Sequence, residues 1–208
     1  MHRIVRRSLL RFASAFAATS PWTAHAAADP AVMAPVRALI AALLTIMKQG
    51  SAVPFTRRME TLAPVVDQSF DLGAILRKSV GTATWDALPP DRQADVRDAF
   101  RGYTIASYVR SFDAFNGQRF EVLPDTRAVG TGAQIVQTRI VPTGGDTHAL
   151  DYVMRAAGGG WRIVDVLADG SVSRVAVQRS DFRRLVAQGG VAALVASLRQ
   201  KAGDLAKP

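Results

Sequence analysis

At Asn116-Gly117 the spacing of apolar side chains changes from the helical period of about 3.6 residues to the strand period of 2. A chain that does this must join a helical layer to a sheet. Upstream, Val36, Leu39, Ile40, Leu43, Leu44 and Met47 share one side of a helix expected over Val32–Met47 and ended by Gly50. A shorter helix is expected over Phe55–Val66, and a third over Leu72–Val80 with Asp71 as its cap. Leu88-Pro89-Pro90-Asp91 opens the longest helix, because proline fits the first turn and an acid there complements the helix dipole. The spacing carries that helix to about Phe115. Val96, Ala99, Phe100, Tyr103, Ile105, Tyr108, Val109, Phe112 and Phe115 cover more than half of its circumference, so it must be packed on two sides.

Downstream, Phe120–Leu123 reads as a short strand ended by Pro124, and Ala133–Val141, Thr147–Arg155, Trp161–Leu167 and Ser171–Gln178 alternate as longer ones. Gly144-Gly145-Asp146, Gly158-Gly159-Gly160 and Asp169-Gly170 separate the long segments, which predicts an antiparallel meander with hairpin connections. Ser180 is then expected to cap a helix over Asp181–Gln188. Gly189-Gly190 should break it, and Val191–Leu205 should form a last amphipathic helix. Helices on one side of a strongly curved antiparallel sheet make an α+β architecture.

Residues 1–26 stand outside this pattern. They begin Met-His-Arg-Ile-Val-Arg-Arg, continue through the mainly apolar Ser8–Trp22, and end in Thr23-Ala24-His25-Ala26, a small-x-small pattern that a signal peptidase reads. Arg11 interrupts a stretch already shorter than the roughly 20 apolar residues of a membrane span. The segment therefore reads as a cleaved export signal, and Arg6-Arg7-Ser8-Leu9-Leu10 loosely fits its twin-arginine version. The expected organisation is a signal peptide over 1–26 and a single domain over 27–208, in a periplasmic protein. No later uninterrupted run of 18 or more apolar residues occurs, so the mature chain is expected to be soluble. Cleavage takes Arg3, Arg6, Arg7 and Arg11 and no acid, lowering the net charge from +9 to +5. Much of the basic character belongs to the address. With no basic stripe interleaved with aromatics, nucleic acid is not an expected partner, whereas weak contact with anionic headgroups is.

The side-chain inventory excludes whole classes of chemistry. The chain has no cysteine, and only His148 remains once His2 and His25 leave with the signal. Thiol nucleophiles, zinc–thiolate sites, iron–sulfur clusters and multi-histidine metal sites are thereby ruled out, and neither metal nor cofactor is expected. Gly158-Gly159-Gly160 lacks a following Gly-Lys-Ser/Thr and leads into a strand, so it reads as a turn rather than a phosphate loop. Gly170-Ser171-Val172-Ser173 lacks the second glycine and the helix of a nucleophile elbow. Asp151 and Asp165 lie inside apolar strands, where they could serve acid–base chemistry with His148. The favoured reading is instead that each faces solvent or pairs with Arg139, Arg155 or Arg162 across the sheet.

What remains is a surplus of apolar side chains. Trp161 and Ile163 occupy one parity of their strand, Val164 and Val166 the other, whereas a sheet with one wet face is polar on one parity. Either helices cover both faces, or the concave face lines a cavity for an apolar ligand.

Several blocks in sequence carry a resemblance. They are Leu150-Asp151-Tyr152-Val153-Met154-Arg155, Gly160-Trp161-Arg162-Ile163-Val164-Asp165-Val166, Asp169-Gly170-Ser171-Val172-Ser173, Gln178-Arg179-Ser180-Asp181-Phe182 and Gly189-Gly190-Val191-Ala192-Ala193-Leu194. With Phe70-Asp71-Leu72 and Ser107-Tyr108 through Asn116-Gly117-Gln118 upstream, the chain resembles the MlaC/Ttg2D family of periplasmic lipid-binding, toluene-tolerance proteins over nearly all of its mature length. The wording of Asp151–Arg155 and Ser173–Phe182 is similar to the hopanoid-associated HpnM branch. The resemblance implies a curved sheet of about four to five strands, with N- and C-terminal helices enclosing a deep apolar lipid pocket. It implies no enzyme activity and no catalytic residue, but a carrier of hopanoid or phospholipid between an inner-membrane transporter and an outer-membrane complex.

By strand parity and helix face, the expected lipid contacts are Tyr103, Tyr108, Phe112, Val136, Ile140, Leu150, Tyr152, Met154, Val164 and Val166. Two other functions remain compatible with such a scaffold: a hydrolase or isomerase using Asp151 or Asp165 with His148, and a ligand-free adaptor.

Overall fold

The computed structural model of the chain describes residues 29–207, so the export signal expected over 1–26 lies outside the described residues. The helices and strands follow the order α1 (Pro30–Gln49), α2 (Phe55–Ser69), α3 (Leu72–Val80), α4 (Thr82–Asp86), α5 (Pro90–Ser111), β1 (Arg119–Val129), β2 (Ala133–Val141), β3 (His148–Ala157), β4 (Gly160–Ala168), β5 (Val172–Ser173) and α6 (Arg174–Leu205). The strands make one antiparallel sheet in the order β1-β2-β3-β4-β5, a meander that does not close on itself. The architecture is α+β, as the change of period predicts.

α1 buries Val32, Val36, Leu39, Leu43 and Ile46 at spacings of three and four, and packs this stripe on α2 and on β4. Burying side chains of this size stabilises the fold by about 1.5–3 kcal/mol each. The helix is also long and apolar enough on average to cross a membrane. Counting uninterrupted apolar residues passes it over because Arg37 and Lys48 break the run. In this fold its apolar stripe covers the sheet instead.

The cap expected for α3 forms: the Asp71 carboxylate accepts from the Ala74 amide at 2.8 Å. The Asp71 amide donates to the Ile163 carbonyl at 3.0 Å, which ties the α2–α3 junction to β4. α5 stops at Ser111 rather than near Phe115. Phe112 leaves the helix with φ −123° and ψ 54° and stacks on Tyr108 at 6.0 Å, while its other neighbour is Phe120 of β1 at 5.9 Å. Aromatic packing thus ends the helix where spacing alone would extend it.

Two strand boundaries also differ from the pattern. β1 continues past Pro124, with its register to β2 slipping between Val122 and Thr126. A residue with no amide proton is tolerated there because β1 is an edge strand. At the other end of the sheet, the strand expected over Ser171–Gln178 shrinks to Val172–Ser173. The Ser173 hydroxyl accepts from the Ala176 amide at 2.9 Å, so the helix begins at Arg174 and Ser180 lies inside it. A side-chain cap has overridden the alternation of valines.

The break expected at Gly189-Gly190 is present: both residues leave helical geometry inside α6, with Gly190 at φ 68° and ψ −171°. That region is open essentially only to glycine. A Cβ on Gly189 would sit 2.8 Å from that of Ala193. Gly190→Ala should therefore destabilise the protein by about 1–3 kcal/mol. Urea unfolding should show a lower midpoint at an unchanged slope; an unaltered midpoint would remove the argument for strain.

Candidate functional site

The inner face of the sheet has two ends. At one, Val136, Tyr152, Met154 and Ile163 are buried in the main core. At the other, Ile140, Leu150, Val166 and Ala168 are half-buried on the same strands. They form one wall of an apolar pocket of about 280 Å³, open to the outside on one side. The deep enclosed cavity implied by the resemblance is thus a smaller, half-open one.

The other walls are helical. α3 contributes Leu72 and Ile75, with Phe70 preceding it, and α5 contributes Phe100, Tyr103, Thr104, Ser107, Tyr108 and Ser111 at spacings of three and four. The start of α6 supplies Arg174, Val175 and Gln178. One side is therefore hydrocarbon and aromatic. The other carries hydroxyl, amide and guanidinium groups.

Of the ten expected lipid contacts, Tyr103, Tyr108, Phe112, Ile140, Leu150 and Val166 line this pocket. Val136, Tyr152, Met154 and Val164 do not; all four are buried. The first three belong to the packed end of the inner face. Val164 sits where the register between β3 and β4 slips: Met154 pairs with Ile163 and Val153 with Asp165, leaving Val164 as the extra residue of a bulge. A bulge reverses parity, so alternation misassigns the face. Sequence spacing misses Arg174, Val175 and Gln178 because it extends a strand through them; the signal is Ser173, three residues before Ala176 at a helix start. Thr104, Ser107 and Ser111 share the face of Tyr108, and a search for apolar residues alone passes them over.

Burial pushes the hydroxyls of Tyr108 and Tyr152 well above the ordinary tyrosine range. The Arg174 charge pulls Tyr108 partly back, and Tyr108 in turn raises Tyr152, so the three groups are electrostatic neighbours.

The acids considered for catalysis do other work. Asp165 is half-buried and forms an ion pair with none of Arg139, Arg155 or Arg162. Its Oδ1 accepts from the Val166 and Val175 amides at 2.8 and 3.1 Å, and its Oδ2 from the Ser173 hydroxyl at 2.6 Å. It is a second cap for α6, reaching across from β4. Asp151, 4% exposed, accepts from the Thr138 amide at 3.2 Å. It lies under the Asp169-Gly170 turn, where a Cβ on Gly170 would be 3.6 Å from its Oδ2. His148 is exposed at the start of β3. Among the described residues no cluster of three or more His, Asp or Glu could hold a metal.

A family model described as MlaC protein matches residues 37–200. No curated protein matches the sequence. Among solved structures, the chain is similar to the phospholipid-binding protein from Ralstonia solanacearum, whose structure was solved in complex with a phospholipid. The identity is 20%, the match covers 85% of this chain and 99% of that one, and the TM-score is 0.72.

The cap and the buried hydroxyls can each be tested. Asp165→Ala removes the acceptor shared by three donors and should cost about 1–3 kcal/mol, read as a lowered urea midpoint and loss of amide protection in the first turn of α6. For the tyrosines, a folded value above the unfolded one of about 10 means that the unfolded chain loses its protons first. Their contribution to stability is complete below about pH 10 and declines as pH rises beyond it. Tyr152→Phe should flatten that decline in unfolding curves taken between about pH 9 and 11; an unchanged slope would contradict the assignment.

Proposed function

The chain belongs to the MlaC family, and from that premise we propose that it is a soluble periplasmic lipid carrier, taking the apolar part of a lipid into the pocket between α3, α5, α6 and the sheet. The observation that carries this reading is a half-buried hydrocarbon and aromatic wall on the same sheet face that is tightly packed a few residues away. The phospholipid held by the similar Ralstonia protein supports a cargo of that class. The motif wording around Asp151–Arg155 and Ser173–Phe182 supports the hopanoid-associated HpnM branch and, with it, a polycyclic cargo. The expected leader supports export, by the twin-arginine route or the general one.

The physical task is large and needs no chemical step. Hydrocarbon in water costs about 0.8 kcal/mol per methylene, so a two-chain lipid with roughly thirty of them faces about 25 kcal/mol in crossing an aqueous gap. A pocket that exchanges those water contacts for Phe70, Phe100, Tyr108 and Leu150 removes most of that barrier. At about 280 Å³ the pocket is near the lower end of the range for small-ligand sites, roughly 300–1,000 Å³. A two-chain lipid requires a wall to move. The first half of α6 meets that need: it lines the pocket through Arg174, Val175 and Gln178 and is bounded by Gly189-Gly190. In this reading the carrier receives lipid from, or delivers it to, an inner-membrane transporter and exchanges it with an outer-membrane complex.

Organic extraction of the protein purified from its native host, followed by mass spectrometry, should yield lipid in stoichiometric amount, and its class decides between phospholipid and hopanoid. Ile140 lines the pocket without packing into the main core. Ile140→Trp should therefore cut co-purifying lipid severalfold at an unchanged melting temperature. Protein that is empty in both forms would leave the adaptor reading in its place.

A further inference from the structure

Arg174 is placed where helix stability does not call for it. It is the first residue of α6, the end of a helix at which backbone N–H groups make a cation unfavourable. It is exposed, and among the described residues no carboxylate lies within ion-pair distance of it. Asp165 is the acidic group on the pocket wall, and its oxygens are aimed at the Val166 and Val175 amides and the Ser173 hydroxyl. The guanidinium nevertheless lines the pocket, close enough to the Tyr108 hydroxyl to pull its ionisation downward.

Its neighbours on the wall are uncommitted donors. Gln178 lies one turn further along α6, and Thr104 and Ser111 face it from α5; none of their side chains is hydrogen-bonded within the described protein. Ser107, between them, donates to the Tyr103 carbonyl at 2.7 Å. An otherwise apolar pocket thus has one polar side, built of a cation without an ion-pair partner among the described residues and several side chains able to donate, beside an Asp165 carboxylate already engaged by two amides and a hydroxyl. That is the chemistry of a site for an anionic oxygen group, held by charge-assisted hydrogen bonds.

We propose that Arg174 is a specificity-determining residue that selects cargo lipids with an anionic phosphate headgroup over lipids whose headgroup is zwitterionic or uncharged. This rests on the carrier reading and narrows it: the tails enter among Phe70, Phe100 and Leu150, while the phosphate stays at the mouth against Arg174. A zwitterionic headgroup carries the same phosphate but brings its own cation up against the guanidinium, and an uncharged polycyclic lipid gains the same burial of hydrocarbon without this contact. Because the guanidinium is exposed, its effect on partition is modest, on the order of two- to fivefold.

The test incubates the purified protein with vesicles containing equal amounts of acyl-matched phosphatidylglycerol and phosphatidylcholine. The protein is then re-isolated and each bound lipid quantified by mass spectrometry. Wild-type protein should be enriched in phosphatidylglycerol by roughly two- to fivefold. Arg174→Gln should bring the ratio close to one, and Arg174→Lys should restore part of the preference. Arg179→Gln alters an exposed arginine of the same helix that does not line the pocket, and should leave the ratio as in wild type. Equal partition in wild-type protein, or a preference that survives Arg174→Gln, overturns the proposal. So does equal loss of preference in Arg179→Gln, which assigns the effect to general surface charge. Wild-type protein that takes up neither lipid overturns the carrier reading itself, a result distinguishable from uptake without preference.

Discussion

The inner face of the sheet is largely apolar and has to be kept from water, yet the helices seal only part of it. α1 lies over β4 and closes the end that holds Val136, Tyr152, Met154 and Ile163. Over Ile140, Leu150, Val166 and Ala168 the helices stand off, and the space between them is the pocket. A densely packed interior on one side makes the other possible, since the packed end supplies the stability that a void would otherwise erode. Core and binding wall are one surface, distinguished by what lies on top of it.

The position of that gap depends on polar contacts at its border. Asp165 and Ser173 together fix where α6 starts, through the Val175 and Ala176 amides. The start of α6 places Arg174, Val175 and Gln178 against the pocket. Asp71 does the same for α3, whose Leu72 and Ile75 face the same space. Asp165, which looks catalytic or solvent-facing in a strand pattern, is thus a positioning device like Asp71, and the two hold helix ends at the rim of an apolar site. Function here needs charge at the ends of helices and hydrocarbon between them.

The aromatic series from Phe70 through Tyr108 and Phe112 to Phe120 links helix to strand along the same border, with ring centroids 5.7–6.0 Å apart. Phe70, Tyr108 and Phe112 are shared between packing and pocket wall, so none could be assigned to one role from spacing. The buried tyrosines add hydroxyls to an interior that is otherwise hydrocarbon.

Most elements and their order were legible in the chain alone, the short α4 and the start of α6 excepted, because a period of 3.6 and a period of 2 are properties of single helices and strands. α3 with its Asp71 cap, the meander, and the break at Gly189-Gly190 all follow from such local rules. The failures are local rules in competition: a side-chain cap against alternating valines at Ser173, an edge strand against Pro124, aromatic stacking against helix continuation at Phe112. Site residues were legible only as far as the face. Parity correctly puts Ile140 with Val136, and Leu150 with Tyr152 and Met154, but it carries no information on which of them a helix will cover. That depends on where α1 ends its contact with β4 and where α6 begins, distances set by packing between segments far apart in sequence, and so only the tertiary structure could separate wall from core.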